Sequence, residues 1–253
     1  MTKLEWDYTL LASTYASRPD YAPAAVDRIV ELAGATPGTP ACDVGAGSGH
    51  LTIPLLQRGL RVDAVEPNDA MRAVGTDRTT GMAGVRWHAA TAEQTGLAAA
   101  SFALVTFGSS FNVTDRPAAL AETDRLLRTG GWFACLWNHR VLDDPLQAEI
   151  ESLIKTQIPD YSYGSRRADQ TAVIDASGRF GPVVAFEETV VNRVPTKDWL
   201  AAWRSHATLA RQAGDRFDAV VDAIEALIPP GQDEVTVPYT TRVFAARLSR
   251  KPA

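Results

Sequence analysis

The spacing of apolar residues predicts short buried strands separated by amphipathic helices over the first 140 residues. Each strand candidate is a mainly apolar run, and most are followed by a segment with helical periodicity. Buried strands that alternate with helices indicate an α/β fold built on a mostly parallel sheet with helices on both faces. The predicted strands are 41–44, 61–66, 85–89, 101–107 and 132–137, and the predicted helices are 24–33, 51–58, 68–75 and 116–127.

The order of elements changes after residue 140, because helices there are no longer interleaved one by one with strands. Apolar and polar residues alternate in the last strand, which indicates a half-buried strand. The helices around 145–178 and 196–230 exceed what a minimal sheet needs, so we expect them to form a lid over a ligand. The predicted elements are a helix at 144–157, a bent strand at 180–191, helices at 198–210 and 216–227, and a strand at 234–248.

Three alternate glycines follow the first strand, in the stretch Asp43-Val-Gly45-Ala-Gly47-Ser-Gly49, and a helix begins directly after them. Glycines lack a Cβ atom, so the backbone can turn tightly there and approach a ligand closely. The N-terminus of the following helix directs free N–H groups towards that ligand. The second strand ends in Glu66, at the distance along the chain where an acid binds ribose hydroxyls in nucleotide-binding βαβ units.

The glycine spacing separates this loop from the dinucleotide fingerprint, whose third glycine follows the second by three positions. Here it follows by two, and Asp43 precedes the first glycine, which suits a ligand with an ammonium group and a sulfonium better than a pyrophosphate. The stretch resembles motif I of the class I S-adenosylmethionine (SAM) dependent methyltransferases. The string Leu126-Leu-Arg-Thr-Gly-Gly-Trp132 likewise resembles the "LLRPGG" hinge of that family.

The resemblance implies a Rossmann-like class I methyltransferase sheet, mostly parallel with an antiparallel last strand, and an inserted helical lid. It implies SAM as the methyl donor and S-adenosylhomocysteine as its product. Among the family's branches, the chain is most similar to small-molecule enzymes of the trans-aconitate and natural-product type. By motif position, the donor-binding residues would be Tyr15, Arg18, Asp43, Gly45, Ala46, Gly47, Gly49, Glu66, Pro67, Asn68, Met71, Thr91, Ala92, Gly108 and Ser109.

Polar residues at the exits of the fourth and fifth strands, and in the lid, are candidates for binding the methyl acceptor. Ligands of open α/β sheets lie outside the carboxyl ends of the strands, where both exits open. The acceptor candidates are Ser110, Phe111, Asn112, Asn138, Arg140, Tyr163 and Arg166. Arg167, with Arg140 and Arg166, could also hold a carboxylate of the acceptor in a bidentate pair, although an ordinary solvated charge is an equal alternative for each. A nucleophile that must lose its proton also needs a general base, for which the candidates are His139, His206 and Tyr161. We expect no metal ligands.

The composition of the chain limits which kinds of molecule the protein is expected to bind. The chain has 253 residues and a net charge of −5, which disfavours non-specific binding to nucleic acid or to an anionic membrane. The sequence shows no signal peptide and no apolar run of membrane length, so we expect a cytoplasmic protein, either a monomer or a homodimer. We divide the chain into an N-terminal arm (1–22) over the donor, a SAM-binding core (23–140), and a C-terminal part with the lid (141–253).

Three other functions compete with this interpretation. The glycine spacing disfavours a nicotinamide-dependent oxidoreductase. The acidic balance, and the lack of an Asn-Pro-Pro-Tyr or Asp-Pro-Pro-Tyr tetrapeptide after the fourth strand, disfavour a nucleic-acid methyltransferase. A catalytically silent SAM-binding partner protein stays open, because the sequence identifies no residue that must act chemically.

Overall fold

The computed structural model describes residues 9, 12 and 18–249 and contains one seven-stranded sheet. The strand order is β3-β2-β1-β4-β5-β7-β6. The strands are β1 Pro40–Val44, β2 Arg61–Val65, β3 Val85–His88, β4 Phe102–Gly108, β5 Leu127–Arg140, β6 Val184–Pro195 and β7 Glu234–Arg247. The helices are α1 Pro23–Leu32, α2 Thr52–Gln57, α3 Asp69–Arg78, α4 Arg116–Leu126, α5 Pro145–Gln157, α6 Thr171–Ala176, α7 Thr196–Arg204, α8 Ala207–Ala213 and α9 Phe217–Glu225.

Strands β1 to β5 are parallel, and β7 lies antiparallel between β5 and β6. This confirms the predicted α/β sheet with an antiparallel last strand. The chain moves outward in one direction from β1 to β3 and in the other from β4 onward, so the order reverses between β1 and β4. A crevice forms at such a reversal, at the carboxyl ends of the strands, and open α/β sheets bind their ligands there.

The sheet carries an apolar cluster on each face, which explains why its central strands are apolar throughout. On one face, Phe107, Phe133 and Phe244 pack against α4 and α6. On the other face, Leu104 and Leu136 pack against α1 and α2. The two cysteines, Cys42 and Cys135, are fully buried, and burial raises the pKa of both thiols, so they are inert core residues.

A third apolar cluster joins α5, α7, α8 and α9 to the start of β7. Its largest members are Trp199 and Trp203, whose rings meet edge to face with centroids 6.1 Å apart. These are the helices predicted around 145–178 and 196–230, and they bury apolar faces of their own. The three-part division of the chain stays a prediction.

Several boundaries differ from the expected ones. The single helix expected at 198–210 is two helices, α7 and α8, which are separated at Ser205 and His206, where His206 caps α8. Helix α4 ends at Leu126 and the chain passes directly into β5, so Gly130 and Gly131 lie within that strand instead of capping the helix. The expected strand at 180–191 begins at Val184, since Pro182 cannot donate to a strand ladder. No helix within residues 18–249 combines the length and the apolar character needed to cross a membrane.

Candidate active site

A cavity of about 300 Å³ opens at the carboxyl ends of β1, β2, β4 and β5, where the sequence predicted the ligand crevice. The glycine-rich loop forms its floor. Gly45 and Gly47 have φ angles of +66° and +56°, a region that side chains disfavour. A Cβ atom on Gly45 would lie 2.4 Å from the Cβ of Ser110, so the loop also needs glycine for close packing against the exit of β4.

Glu66 closes one side of the floor. Its Oε2 accepts a hydrogen bond from the N–H of Gly47 at 2.9 Å, and its Oε1 accepts one from the N–H of Asn68 at 2.8 Å. Burial raises the pKa of this carboxyl, although both hydrogen bonds oppose the shift. A carboxylate has about four acceptor positions, so Glu66 can hold the loop and still accept from two ribose hydroxyls.

Asp43 lies beneath the loop and is fully buried. Its oxygens accept hydrogen bonds from the hydroxyls of Thr52, at 2.7 Å, and Thr106, at 3.0 Å. Burial raises the pKa of Asp43 to about 6, and the nearby negative charge of Glu66 adds to the increase. A cationic ligand above the loop would favour the ionised form, so Asp43 supplies charge from below.

The side of the cavity that the sequence predicted to receive adenine is formed by the α3 cap and the loop after β3. Asn68 caps α3 by accepting from the N–H of Met71 at 3.0 Å. Met71 is buried and packs on the loop, since its Cε would lie 3.2 Å from a Cβ on Gly47. Pro67, Thr91 and Ala92 also line the cavity. Gly49 does not line the cavity, because a Cβ atom on this residue would point towards the side chains of Ile53 and Trp87.

The backbone at the exit of β4 is strained where it lies beside the cavity. Ser109 has a φ angle of +58°, which costs a non-glycine residue free energy and often marks a functional site. Its hydroxyl hydrogen-bonds the hydroxyl of Tyr21 at 3.0 Å, and the hydroxyl of Ser110 donates to the carbonyl of Val44 at 2.6 Å. Gly108, Ser109 and Ser110 therefore line the cavity, as the sequence predicted.

Two residues predicted at this exit lie elsewhere. Phe111 is fully buried and packs edge to face with Phe107 and Phe133, so it cannot face a ligand. Asn112 does not line the cavity, and its Oδ1 accepts from the indole N–H of Trp137 at 2.8 Å. The cause is the 3₁₀ turn at Phe111–Val113, which directs the phenyl ring into the core.

The segment at 18–22 crosses the open side of the cavity. Arg18 lines the cavity and donates to the carbonyl of Ser205 at 3.4 Å, and its own carbonyl meets Nε2 of His50 at 3.1 Å. Asn138 donates to the carbonyls of Pro19 and Asp20 at 3.1 and 2.9 Å. Tyr15, the other predicted arm residue, lies outside the described residues.

Asn138→Ala is expected to loosen this segment while the sheet stays intact, because two hydrogen bonds to backbone carbonyls are lost. Each of these hydrogen bonds contributes about 1 kcal/mol to the stability of the segment. Their loss should therefore accelerate amide exchange at residues 20–22 roughly tenfold or more. Hydrogen–deuterium exchange measures this, with Asn192→Ala in β6 as the matched control. Unchanged protection at residues 20–22 would show that the segment is held by other contacts.

Arg140 is held in a closed network at the end of β5. It donates to Gln147 at 3.1 Å, to Glu151 at 3.2 Å and to the hydroxyl of Tyr163 at 2.8 Å. The Tyr163 hydroxyl in turn donates to Glu151. The guanidinium of Arg140 also lies 4.9 Å from the ring centroid of Trp203. Arg140 thus orients Tyr163, and little of its hydrogen-bonding capacity is left for an acceptor molecule.

The three predicted general bases have different surroundings. His139 lines the cavity, and its Nε2 is buried with no hydrogen-bond partner within the described ranges. Burial, and then the charges of Arg167, Arg166 and Arg242, lower the pKa of His139 to about 3. The ring is therefore neutral at pH 7 and is a weak base.

His206 and Tyr161 do not fit the role of general base. His206 caps α8: its Nδ1 accepts from the N–H of Leu209 at 3.1 Å, so in the neutral ring the proton is on Nε2, which can only donate. Burial lowers the pKa of His206 well below its ordinary value. Tyr161 is buried in the third apolar cluster and does not line the cavity.

Several cavity residues were not among the predicted site residues. Tyr21 and His50 carried weak signals, an aromatic residue ahead of the first strand and a histidine directly after the glycines. Trp199, Trp203 and Tyr239 come from elements whose helical or strand pattern places them in a core, and only the tertiary structure brings them to the cavity. Arg167, by contrast, was expected to bind an acceptor carboxylate together with Arg166, and it lines the cavity.

Comparison with known proteins agrees with this geometry. Residues 42–135 match the family described as "Methyltransferase domain". An uncharacterized methyltransferase of Mycobacterium tuberculosis is 35% identical over 127 residues, which cover 49% of this chain and 48% of that protein. A ubiquinone/menaquinone biosynthesis C-methyltransferase of Rubrivivax gelatinosus is 36% identical over 110 residues, 43% of each chain. The matches thus span about half the length of these relatives.

Solved structures extend the likeness of fold to most of the chain. A protein from Anaeromyxobacter dehalogenans gives a TM-score of 0.63 at 22% identity, covering 91% of this chain and 97% of that one. A phosphoethanolamine N-methyltransferase of Haemonchus contortus, solved with S-adenosyl-L-methionine, gives 0.51 at 17% identity, covering 90% and 53%. Together with the strand order and the glycine loop, these comparisons support a class I SAM-dependent methyltransferase fold for this chain, with residues 42–135 matched to the methyltransferase domain itself.

Proposed function

We propose that this protein binds SAM in the cavity and transfers its methyl group to a small-molecule acceptor. The observation that carries this proposal is the joint position of the glycine loop, Glu66 and buried Asp43 on one side of a cavity that continues to Asn138 and Arg140. Glu66 would bind the ribose, the loop would approach the methionine part, and Asp43 would stabilise positive charge. The trans-aconitate or natural-product subtype stays a prediction.

Methyl transfer from a sulfonium is an in-line displacement, so the site must align the acceptor opposite the sulfur and exclude water. Alignment alone can lower the barrier by about 7–11 kcal/mol. The segment at 18–22 and the helices α7 and α8 supply the cover, because Arg18, Trp203 and His206 line the cavity. Tyr21 and Ser109 fix the wall at the exit of β4.

Proton removal would fall to His139 if the acceptor needs it. Its Nε2 is the only one of the three predicted basic atoms that is unpaired and on a cavity-lining residue within the described part of the chain. Its low pKa makes it effective only toward an acidic acceptor, since proton transfer follows the difference in pKa. An acceptor that binds already ionised would need no base.

The remaining predictions about partners belong to the same proposal. A net charge of −5, with cavity arginines that face inward, supports a small molecule over a nucleic acid. A cytoplasmic location and a monomeric or homodimeric state also stay predictions. The relative from Rubrivivax gelatinosus is named for a small-molecule biosynthesis, which supports the same class of acceptor.

Glu66→Ala is expected to weaken SAM binding by roughly 1.5–3 kcal/mol, about 10- to 150-fold, because a carboxylate that accepts from the ribose is lost. Isothermal titration calorimetry with SAM and with NAD measures this effect and tests the oxidoreductase alternative. Glu149→Ala, an exposed change on α5, is the matched control. Wild-type affinity in Glu66→Ala, or preference for NAD, would contradict the proposal. SAM binding without turnover of any acceptor would favour the silent partner protein.

A further inference from the structure

We propose that Arg166, Arg167 and His139 form a subsite for an oxyanion group, carboxylate or phosphate, of the methyl acceptor. This inference rests on the proposed function, because it assigns the part of the cavity beyond the donor. All three residues line the cavity: His139 at the end of β5, and the two arginines on the 3₁₀ turn at Gly164–Arg167.

The two arginines have no acidic partner in the part of the chain that the structure describes. Among residues 9, 12 and 18–249, no carboxylate lies within ion-pair distance of Arg166 or Arg167, whereas Arg140 beside them is paired with Glu151. Burial lowers the pKa of Arg167, and the positive charges of Arg140 and Arg166 act in the same direction. A bound anion would relieve this repulsion, since an opposite charge favours the ionised form.

Arg167 is also held in place for such a role. Its guanidinium stacks on the ring of Tyr163, 4.0 Å from the centroid, and the hydroxyl of that tyrosine is fixed by Arg140 and Glu151. Arg140 therefore positions Tyr163, and Tyr163 supports Arg167. A pre-oriented guanidinium loses little conformational freedom when it forms a bidentate pair with a carboxylate or phosphate.

Two buried polar atoms of this subsite have no partner in the described chain. They are Nε2 of His139 and Nε of Arg167. Buried polar groups are nearly always hydrogen-bonded, so an unpaired pair in cavity-lining residues indicates a ligand that carries oxygen atoms. With its single proton on Nε2, the neutral ring of His139 can donate one hydrogen bond to an oxyanion without adding a third charge. In that tautomer it positions the acceptor and does not act as the base, which an acceptor that binds already ionised does not need.

The charge distribution and the lining fix the class of acceptor. The donor end of the cavity carries Asp43, Glu66 and Glu93, and the opposite end carries the arginines. The sulfonium and an anionic acceptor would thus lie in fields of opposite sign. The aromatic rings at the arginine end suit a flat, apolar body next to the oxyanion. These rings belong to Tyr163, Trp199, Trp203 and Tyr239.

The test uses the full chain saturated with S-adenosylhomocysteine, and calorimetric titration with benzoate, phenyl phosphate and neutral benzamide. We expect at least one anion to bind tenfold or more tightly than benzamide, and whichever binds better identifies carboxylate or phosphate. Arg166→Gln and Arg167→Gln should each weaken that anion tenfold or more and leave the affinity for S-adenosylhomocysteine unchanged. Arg193→Gln, an exposed change in β6, should alter neither.

The outcomes separate this inference from the proposed function. Anions that bind no better than benzamide, or that bind equally well to both glutamine variants, would overturn the oxyanion subsite, while SAM binding would leave the proposed function standing. Failure to bind SAM or S-adenosylhomocysteine would overturn the proposed function, and the assignment to an acceptor with it. If a glutamine variant does not fold, Arg166→Lys and Arg167→Lys keep the charge and should weaken the anion through loss of the bidentate geometry.

Discussion

Gly45→Ala is expected to destabilise the protein by roughly 2–5 kcal/mol and to reduce SAM affinity more than tenfold. A residue with a Cβ atom at a φ of +66° costs about 1–2 kcal/mol. Its Cβ would also lie 2.4 Å from the Cβ of Ser110, and overpacking of this kind costs about 1–3 kcal/mol more. Because Ser110 is tied to Val44, the clash would separate the ends of β1 and β4 that form the cavity floor.

Thermal unfolding and calorimetry with SAM measure the two effects. Gly34→Ala is the matched control, because Gly34 has a φ of +56° and an added Cβ there would meet no described atom within 4 Å. The control should be destabilised only by its unfavourable backbone conformation, and its affinity for SAM should be unchanged. Equal behaviour of the two variants would mean that the loop tolerates displacement and that its close contact with Ser110 is unimportant.

Asp43→Asn is expected to stabilise the ligand-free protein at pH 7 by about 2–3 kcal/mol and to weaken SAM binding. The folded-state pKa of Asp43 is raised to about 6 from 3.8. The protonated carboxyl of Asp43 therefore contributes stability that is fully present below about pH 4 and is lost as the pH rises through 6. Each unit of difference between the folded and unfolded pKa corresponds to about 1.4 kcal/mol of unfolding free energy. Asparagine removes the buried charge, and its amide can still hydrogen-bond Thr52 and Thr106.

Denaturant unfolding between pH 4 and pH 8 tests this expectation. The wild type should lose stability relative to the variant across that range, and the variant should lack this part of the pH dependence. Asp63→Asn is the comparison, since Asp63 is also buried in the sheet but is paired with Arg86 and His88, and its loss should destabilise. Parallel pH curves for wild type and Asp43→Asn would show that Asp43 stays ionised.

The half of the cavity proposed to bind the donor could be predicted because its sequence signal is local. Glycines at fixed spacing, and acids at strand ends, are set by the backbone path within one βαβ unit, and the structure brings Asp43, Gly47 and Glu66 together as expected. Local pattern also explains the error at Phe111. A sequence places this residue at a strand exit but does not show that a 3₁₀ turn directs its ring into the core.

The acceptor half could be predicted only in part, because its residues meet through long-range packing. Arg140 and Tyr163 were expected to contact the acceptor, but Gln147 and Glu151 from α5 occupy much of their hydrogen-bonding capacity. His206 was expected to act as a base, but its Nδ1 caps α8. In both cases the deciding partner lies in another element, or in a cap whose geometry the sequence pattern does not specify.

The hydrogen bonds of Thr241 have a consequence for synthesis on the ribosome. Its hydroxyl accepts from the N–H of Ala22 at 2.8 Å and donates to Oδ1 of Asn138 at 2.6 Å, so a residue of β7 anchors the segment that crosses the cavity. The glycine loop and Glu66 are translated long before Thr241. A nascent chain can therefore form the ribose side early, yet it cannot fasten the 18–22 segment until β7 has emerged and inserted between β5 and β6. Closure of the proposed donor site is thus a late step of folding, which follows the insertion of β7 into the sheet.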